Sequence, residues 1–320
     1  MRNDVVWYIV RRVVALSLLM LVISFGVFSL LYITPGSIVY VLLGGHPASP
    51  EVLDALTKQY HLDDPFLVQY AHWLGDALRL DLGRSILTNQ PVLSSIMSRL
   101  GVTTFLGIFA FVIAVVTGIG FGTIAALRRR TTLDRSIVAL SVVGVSAPPF
   151  ATGLLLLYVF GVALDWLPVY GSGTGFFSRL EHLTLPAIAL AFTASTLILK
   201  LTRAALVEVL EQDFIVFARA RGVPRRRILV RYALRNALIP VVTASGIVLA
   251  YTLTGAVLIE VTFSLPGIGA FLVNAVINKD VPVVQGATLV IAAIIMIINL
   301  LTDVIYLVID PRIRFERAAT

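Results

Sequence analysis

The residues that do chemistry in other proteins are few in this 320-residue chain, and their neighbours limit them further. The three lysines, Lys58, Lys200 and Lys279, are followed by Gln59, Leu201 and Asp280. A loop of the P-loop type needs Gly-Lys followed by Ser or Thr, so none of the three can serve it. Gly171-Ser172-Gly173-Thr174-Gly175 is glycine-rich but carries no lysine, and it reads as a flexible turn. His46, His61, His72 and His182 make no His-Glu-x-x-His pattern, and there is no cysteine to act as nucleophile, thiolate ligand or disulfide partner. The expectation is a non-catalytic chain with no cofactor or metal site of its own. Two acids, Glu260 and Asp303, lie at or near the ends of long apolar runs, where ionisable groups are functional suspects. Both are expected to sit close enough to water to be solvated.

Hydrophobic residues make up 58% of the chain and charged residues 13%, about half the charged share usual in soluble domains. The net charge of +7 does not point to nucleic acid, because the charges are confined to connections between apolar runs. Six runs are long enough to cross a bilayer: Val13–Thr34, Gly101–Leu127, Ser136–Leu164, Leu183–Leu199, Leu238–Ile259 and Gly286–Ile309. The first is too long for a signal peptide, and Thr34-Pro35-Gly36 does not resemble a cleavage site. The fold class is therefore all-α, a polytopic membrane protein with six spans. With the N-terminus inside, 19 of the 25 Lys and Arg residues fall on the inner side, which predicts cytoplasmic N- and C-termini.

Two connections are too long to be linkers. The outer segment Pro35–Leu100 carries Asp64-Pro65, read as an N-cap with proline at the first helical position. Phe66, Tyr70, Trp73 and Ala77 then recur at helical spacing, and Ser49-Pro50 opens a shorter helix. This folded segment is either a docking surface for an extracytoplasmic partner or a cap packed on the spans. The inner segment Thr202–Asn236 places Leu206, Leu210, Phe214 and Phe217 on one helical stripe. Gly222 breaks that helix and Pro224 begins another, which carries Arg225, Arg226, Arg227, Ile228, Arg231 and Arg235. Anionic lipid accounts for the charge. It does not account for two short helices set at a glycine corner, a rigid knob for a soluble partner.

The stretch Ala218-Arg219-Ala220-Arg221-Gly222, followed by Arg231-Tyr232-Ala233-Leu234-Arg235-Asn236, resembles the EAA loop of binding-protein-dependent ABC importer permeases. Ala218, Gly222 and Leu234 match the general pattern. Val216 stands at its acidic position and Arg235 at its closing proline position, as is normal in the peptide/nickel branch. His61-Leu62-Asp63-Asp64-Pro65 through Leu80-Asp81-Leu82-Gly83-Arg84-Ser85 resembles the outer segment of dipeptide and oligopeptide permeases of the B type. Ser264 to Gly269 and Asp310-Pro311-Arg312-Ile313-Arg314 resemble two further signatures of that branch, and together the matches cover nearly the whole chain.

The resemblance implies a type I ABC importer permease fold in a bacterial inner (plasma) membrane. It divides the chain into a tail and first span at 1–34, an extracytoplasmic segment at 35–100 and a permease core at 101–320, with the coupling loop at 202–236. It implies a homologous second permease subunit, two ATPase subunits carrying ATP and Mg, and a substrate-binding protein. The coupling residues would be Phe214, Phe217, Ala218, Gly222, Val223, Arg225, Ile228 and Leu234. Pro148, Gly246, Tyr251, Thr254 and Glu260 are candidates for the translocation pathway. Pro148-Pro149 should break or kink its span, and the small and polar residues of span five suit close packing or contact with water. Short peptides are the expected cargo, with nickel chelates, glutathione and related small solutes as alternatives. A secondary transporter would usually show more spans and midplane charges. An intramembrane hydrolase would need a nucleophile and base at membrane depth.

Overall fold

Where no water competes for backbone hydrogen bonds, an apolar segment satisfies its own N–H and C=O groups by coiling. The computed structural model describes residues 2–33, 49–59 and 62–309, and these build helices joined by turns, with a single isolated bridge between Arg84 and Pro91. Thr34-Pro35-Gly36, His46, His61 and the Asp310–Arg314 signature lie outside the described residues.

In chain order the helices are α1 (Arg2–Ile33), α2 (Pro50–Gln59), α3 (Phe66–Leu78), α4 (Val92–Leu127), α5 (Thr132–Ser146) and α6 (Pro149–Ala163). They continue with α7 (Phe176–Leu210), α8 (Asp213–Ala220), α9 (Arg225–Thr262), α10 (Ile268–Ile277) and α11 (Val281–Ile309). Among them α1, α4, α7, α9 and α11 are each long and apolar enough to span. The pair α5 and α6 passes the same test together but is bent by 107°, so the described residues hold five such helices, or six spans with this pair as one broken span. The expected break at Pro148-Pro149 is thus a full corner: the Ala147 amide closes α5 on Val143, and the two prolines then offer no N–H to continue. The glycine-rich stretch after α6 turns through left-handed φ at Gly171, Gly173 and Gly175. Pro65 is the N-cap of α3 rather than its first residue, so Asp64 stands one residue outside the expected cap.

The chain forms two compact units, Met1–Val102 with Pro266–Ile297, and Thr103–Leu265 with Ile298–Thr320. The units follow packing, so α10 and most of α11 belong with the N-terminal part although the sequence divides at residues 34 and 100.

In the first unit, Val92, Ile96, Ile268, Ala275, Val283 and Ala287 form a buried core. Gly286 brings α11 so near α4 that a Cβ there would meet Val92 at 2.7 Å. The signature turn at Ser85 is fastened from the same side. Asp280, 2% exposed, accepts from Ser85 Oγ at 2.6 Å and from the Ile86 amide at 3.2 Å. The helical stripe Phe66, Tyr70 and Trp73 packs on α1 against Phe28.

In the second unit, α7 and α9 pack through Ala191, Ala194, Ile198, Val241, Ala244 and Val248, with Ala114 of α4. Small residues let these helices approach without loss of dispersion contact.

Candidate functional site

The corner between α7 and α9 begins where α7 ends. Its last turn tightens, the Glu211 amide bonding Glu208 and the Gln212 amide bonding Val209, and α8 starts afresh at Asp213. Leu206, Leu210, Phe214 and Phe217 therefore do not form the single helical stripe that their spacing predicts; the break falls between Leu210 and Phe214. Each part packs by its own face. Ile215 and Ala218 of α8 join Leu206, Ile228, Ala233 and Ala237 in one buried cluster, with Val223 and Leu234 packed against it. Phe214 and Phe217 turn outward, Phe217 being 68% exposed.

The chain leaves α8 through a Schellman turn. The Gly222 amide donates to Arg219 at 2.9 Å and the Val223 amide to Ala218 at 3.1 Å. Gly222 has φ +74°, a left-handed conformation that side chains other than glycine adopt at a cost. Pro224 then caps α9, where its missing N–H costs nothing. The second helix of the corner is not a separate piece as expected: Arg225 through Thr262 is one helix, which passes through a π stretch at Ile228–Leu234 on its way into the fifth span. A π stretch inside an α-helix is a local strain that often marks functional positions.

Of the eight expected coupling residues, Phe214, Phe217, Gly222 and Arg225 face outward. Ala218 and Ile228 are buried and hold α8 onto α9, while Val223 and Leu234 are half-buried. Phe214 also borders a groove of about 550 Å³ lined by Arg231, Tyr232, Arg235 and Asn236. An exposed aromatic anchor ringed by arginines is the composition that protein interfaces favour.

Two ion pairs near this corner were not apparent from spacing. Arg203 of α7 grips Asp134 of α5 with two hydrogen bonds, Nε to Oδ1 at 2.7 Å and Nη2 to Oδ2 at 2.9 Å. Asp134 also accepts the Arg130 amide at 2.9 Å, and its own amide donates to Thr131 Oγ1. Arg129 pairs with Glu211, the residue that ends α7, although both are exposed.

The expected pathway residues do not converge. Pro148 forms the corner of the third span. Tyr251 and Thr254 share an exposed face of α9 with Ile247 and Leu258. Gly246 instead packs against Thr302 of α11, where any Cβ would collide. Glu260 is not solvated as expected. It is fully buried, accepts from Thr103 Oγ1 at 2.6 Å, and its carbonyl receives the Leu265 amide at 2.8 Å.

The helices define a chain built to cross a membrane several times. Residues 118–315 match the family described as binding-protein-dependent transport system inner membrane component, and residues 5–107 match the N-terminal part of that family. The chain belongs to this family of ABC importer permeases. A Brucella suis biovar 1 protein named as a candidate peptide permease is 42% identical over 311 residues, 95% of this chain and 97% of that protein. The glutathione transport system permease of Escherichia coli O6:H1 is 36% identical over 309 residues, 97% of this chain and 99% of that one. Among solved structures, a chain of the inward-facing MetNI methionine ABC transporter superposes with a TM-score of 0.57 at 17% identity. It covers 68% of this chain and 96% of that chain, which shows the shared fold.

Proposed function

We propose that this chain forms half of the translocation pathway of an importer that carries short peptides delivered by a separate binding protein. A second, homologous permease subunit supplies the other half, and two ATPase subunits supply the hydrolysis for which this chain has no phosphate loop. ATP and Mg bind those subunits and not this chain. Both termini are cytoplasmic, on the argument of the Lys and Arg bias, and the α8 corner then faces the cytoplasm.

The observation that carries this reading is the corner itself. Phe217 stands exposed on a short helix that Ile215 and Ala218 anchor firmly to α7 and α9. Movement of a partner gripping Phe217 is therefore transmitted to two spans at once. Tyr251 and Thr254, on the exposed face of α9, are the pathway candidates of the fifth span; Gly246 and Glu260 support that helix from within.

The relatives named for peptide transport favour peptide cargo, and the 36%-identical glutathione permease favours glutathione, itself a short peptide derivative, as the second reading. Reconstitution of the full complex in liposomes tests both. Uptake of a labelled dipeptide or oligopeptide should require ATP, the binding protein and this chain. Uptake that persists without ATPase subunits and collapses with the ion gradient would instead indicate a secondary transporter.

A further inference from the structure

α3 packs on α1 within its apolar stretch and does not stand beyond it. The rings of Phe66, Tyr70 and Trp73 lie 5.5, 5.6 and 5.5 Å from the ring of Phe28. These three residues occupy about 10 Å of helix at 1.5 Å per residue. All three reach Phe28, and Phe66 also meets Phe25 and Tyr32, so this stripe of α3 is packed on the C-terminal part of α1. Phe28 lies within the apolar stretch Trp7–Tyr32 of α1. Tyr70 reaches further back along α1. Its hydroxyl is 2.7 Å from Ser24 Oγ and donates to the Leu21 carbonyl at 3.4 Å.

The faces of α3 sort accordingly. One carries Phe66, Tyr70 and Trp73 against α1. A second carries His72 and Asp76, exposed and about 140–180° round the helix from Leu67 at 100° per residue. The third carries Leu67, Ala71 and Leu78, all exposed, with Leu67 at 67% and Leu78 at 77%. This apolar face adjoins α1, which turns Leu18, Leu21 and Val22 outward within its own span. Both helices thus expose large apolar side chains, α1 within a stretch apolar enough to cross a membrane.

We propose that α3 is an in-plane interfacial helix, with Leu67, Ala71 and Leu78 set among the acyl chains of the leaflet reached by the C-terminal end of α1. Its polar edge, His72 and Asp76, faces water. The occupant of the apolar face is the bilayer, not a protein. The inference needs only that α1 spans the membrane, and stands apart from the cargo and the coupling corner.

The absence of cysteine permits a clean test. Single cysteines at Leu67, Ala71, Leu78, His72 and Asp76 carry a nitroxide label in the complete transporter in phospholipid nanodiscs. Collision with oxygen, which concentrates in lipid, should exceed collision with a water-soluble nickel chelate several-fold at positions 67, 71 and 78. The order should reverse at 72 and 76. Chelate access at 67, 71 and 78 would overturn the proposal by placing α3 in water. Protection from both reagents there would overturn it by showing that a protein covers the face.

Discussion

Asp134 is 3% exposed, and its carboxylate is held by both arms of Arg203 and by the Arg130 amide. A buried pair of this kind contributes little relative to an apolar substitute, but losing one partner strands the other charge. Arg203→Ala should therefore destabilise the chain by about 3 kcal/mol, the low end of the usual range because Arg203 keeps some contact with water. Thermal unfolding of the detergent-solubilised protein measures this. Pairing Arg203→Ala with Asp134→Asn should recover part of the loss, and full additivity would show that the two do not depend on each other. This pair was not legible in the sequence, because Arg203 lies 69 residues from Asp134 and looks like one more topology charge. Glu260 misled for the opposite reason. Its position near the end of a run suggested water, whereas the Thr103 hydroxyl from α4 satisfies it inside the unit.

At the scale of elements, Gly222 sets the angle between α8 and α9. A Cβ at this position would meet nothing within 4 Å, so the cost of replacing it is backbone strain alone. Gly222→Val should cost about 1–2 kcal/mol locally, leaving membrane levels near normal while transport-coupled ATPase activity falls. Gly222→Asn, which tolerates left-handed φ better, should retain much more activity than valine. Equal activity of the two variants in the assembled complex would remove the corner from the coupling account. The glycine corner was legible because a helix stop and a helix start adjoin there. The stop at Glu211 was not. Leu206, Leu210, Phe214 and Phe217 keep helical spacing across it, and periodicity cannot register a break that leaves the phase unchanged. The π stretch at Ile228–Leu234, whose Ile228 and Ala233 both reach the buried cluster, has no signature of its own in the sequence.

For the molecule as a whole, apolar length revealed the spans, because a bilayer leaves a polypeptide few ways to satisfy its backbone. Which spans pack together was not legible. Return of Pro266–Ile297 to the unit of the first span depends on side chains such as Asp280 and Ser85, 195 residues apart. On the proposed function an ATPase subunit grips the outward face of α8, and a cross-linking experiment reads that contact. A photoreactive residue is placed at Phe214, Phe217 or Ile215 in the complete transporter. Phe217, at 68% exposure, should cross-link to the ATPase subunit in high yield, and Phe214, at 42%, should follow. Ile215, fully buried on the opposite face, should yield no such product. Cross-linking of Phe217 to lipid or to no partner at all, in a complex that still transports, would contradict the account.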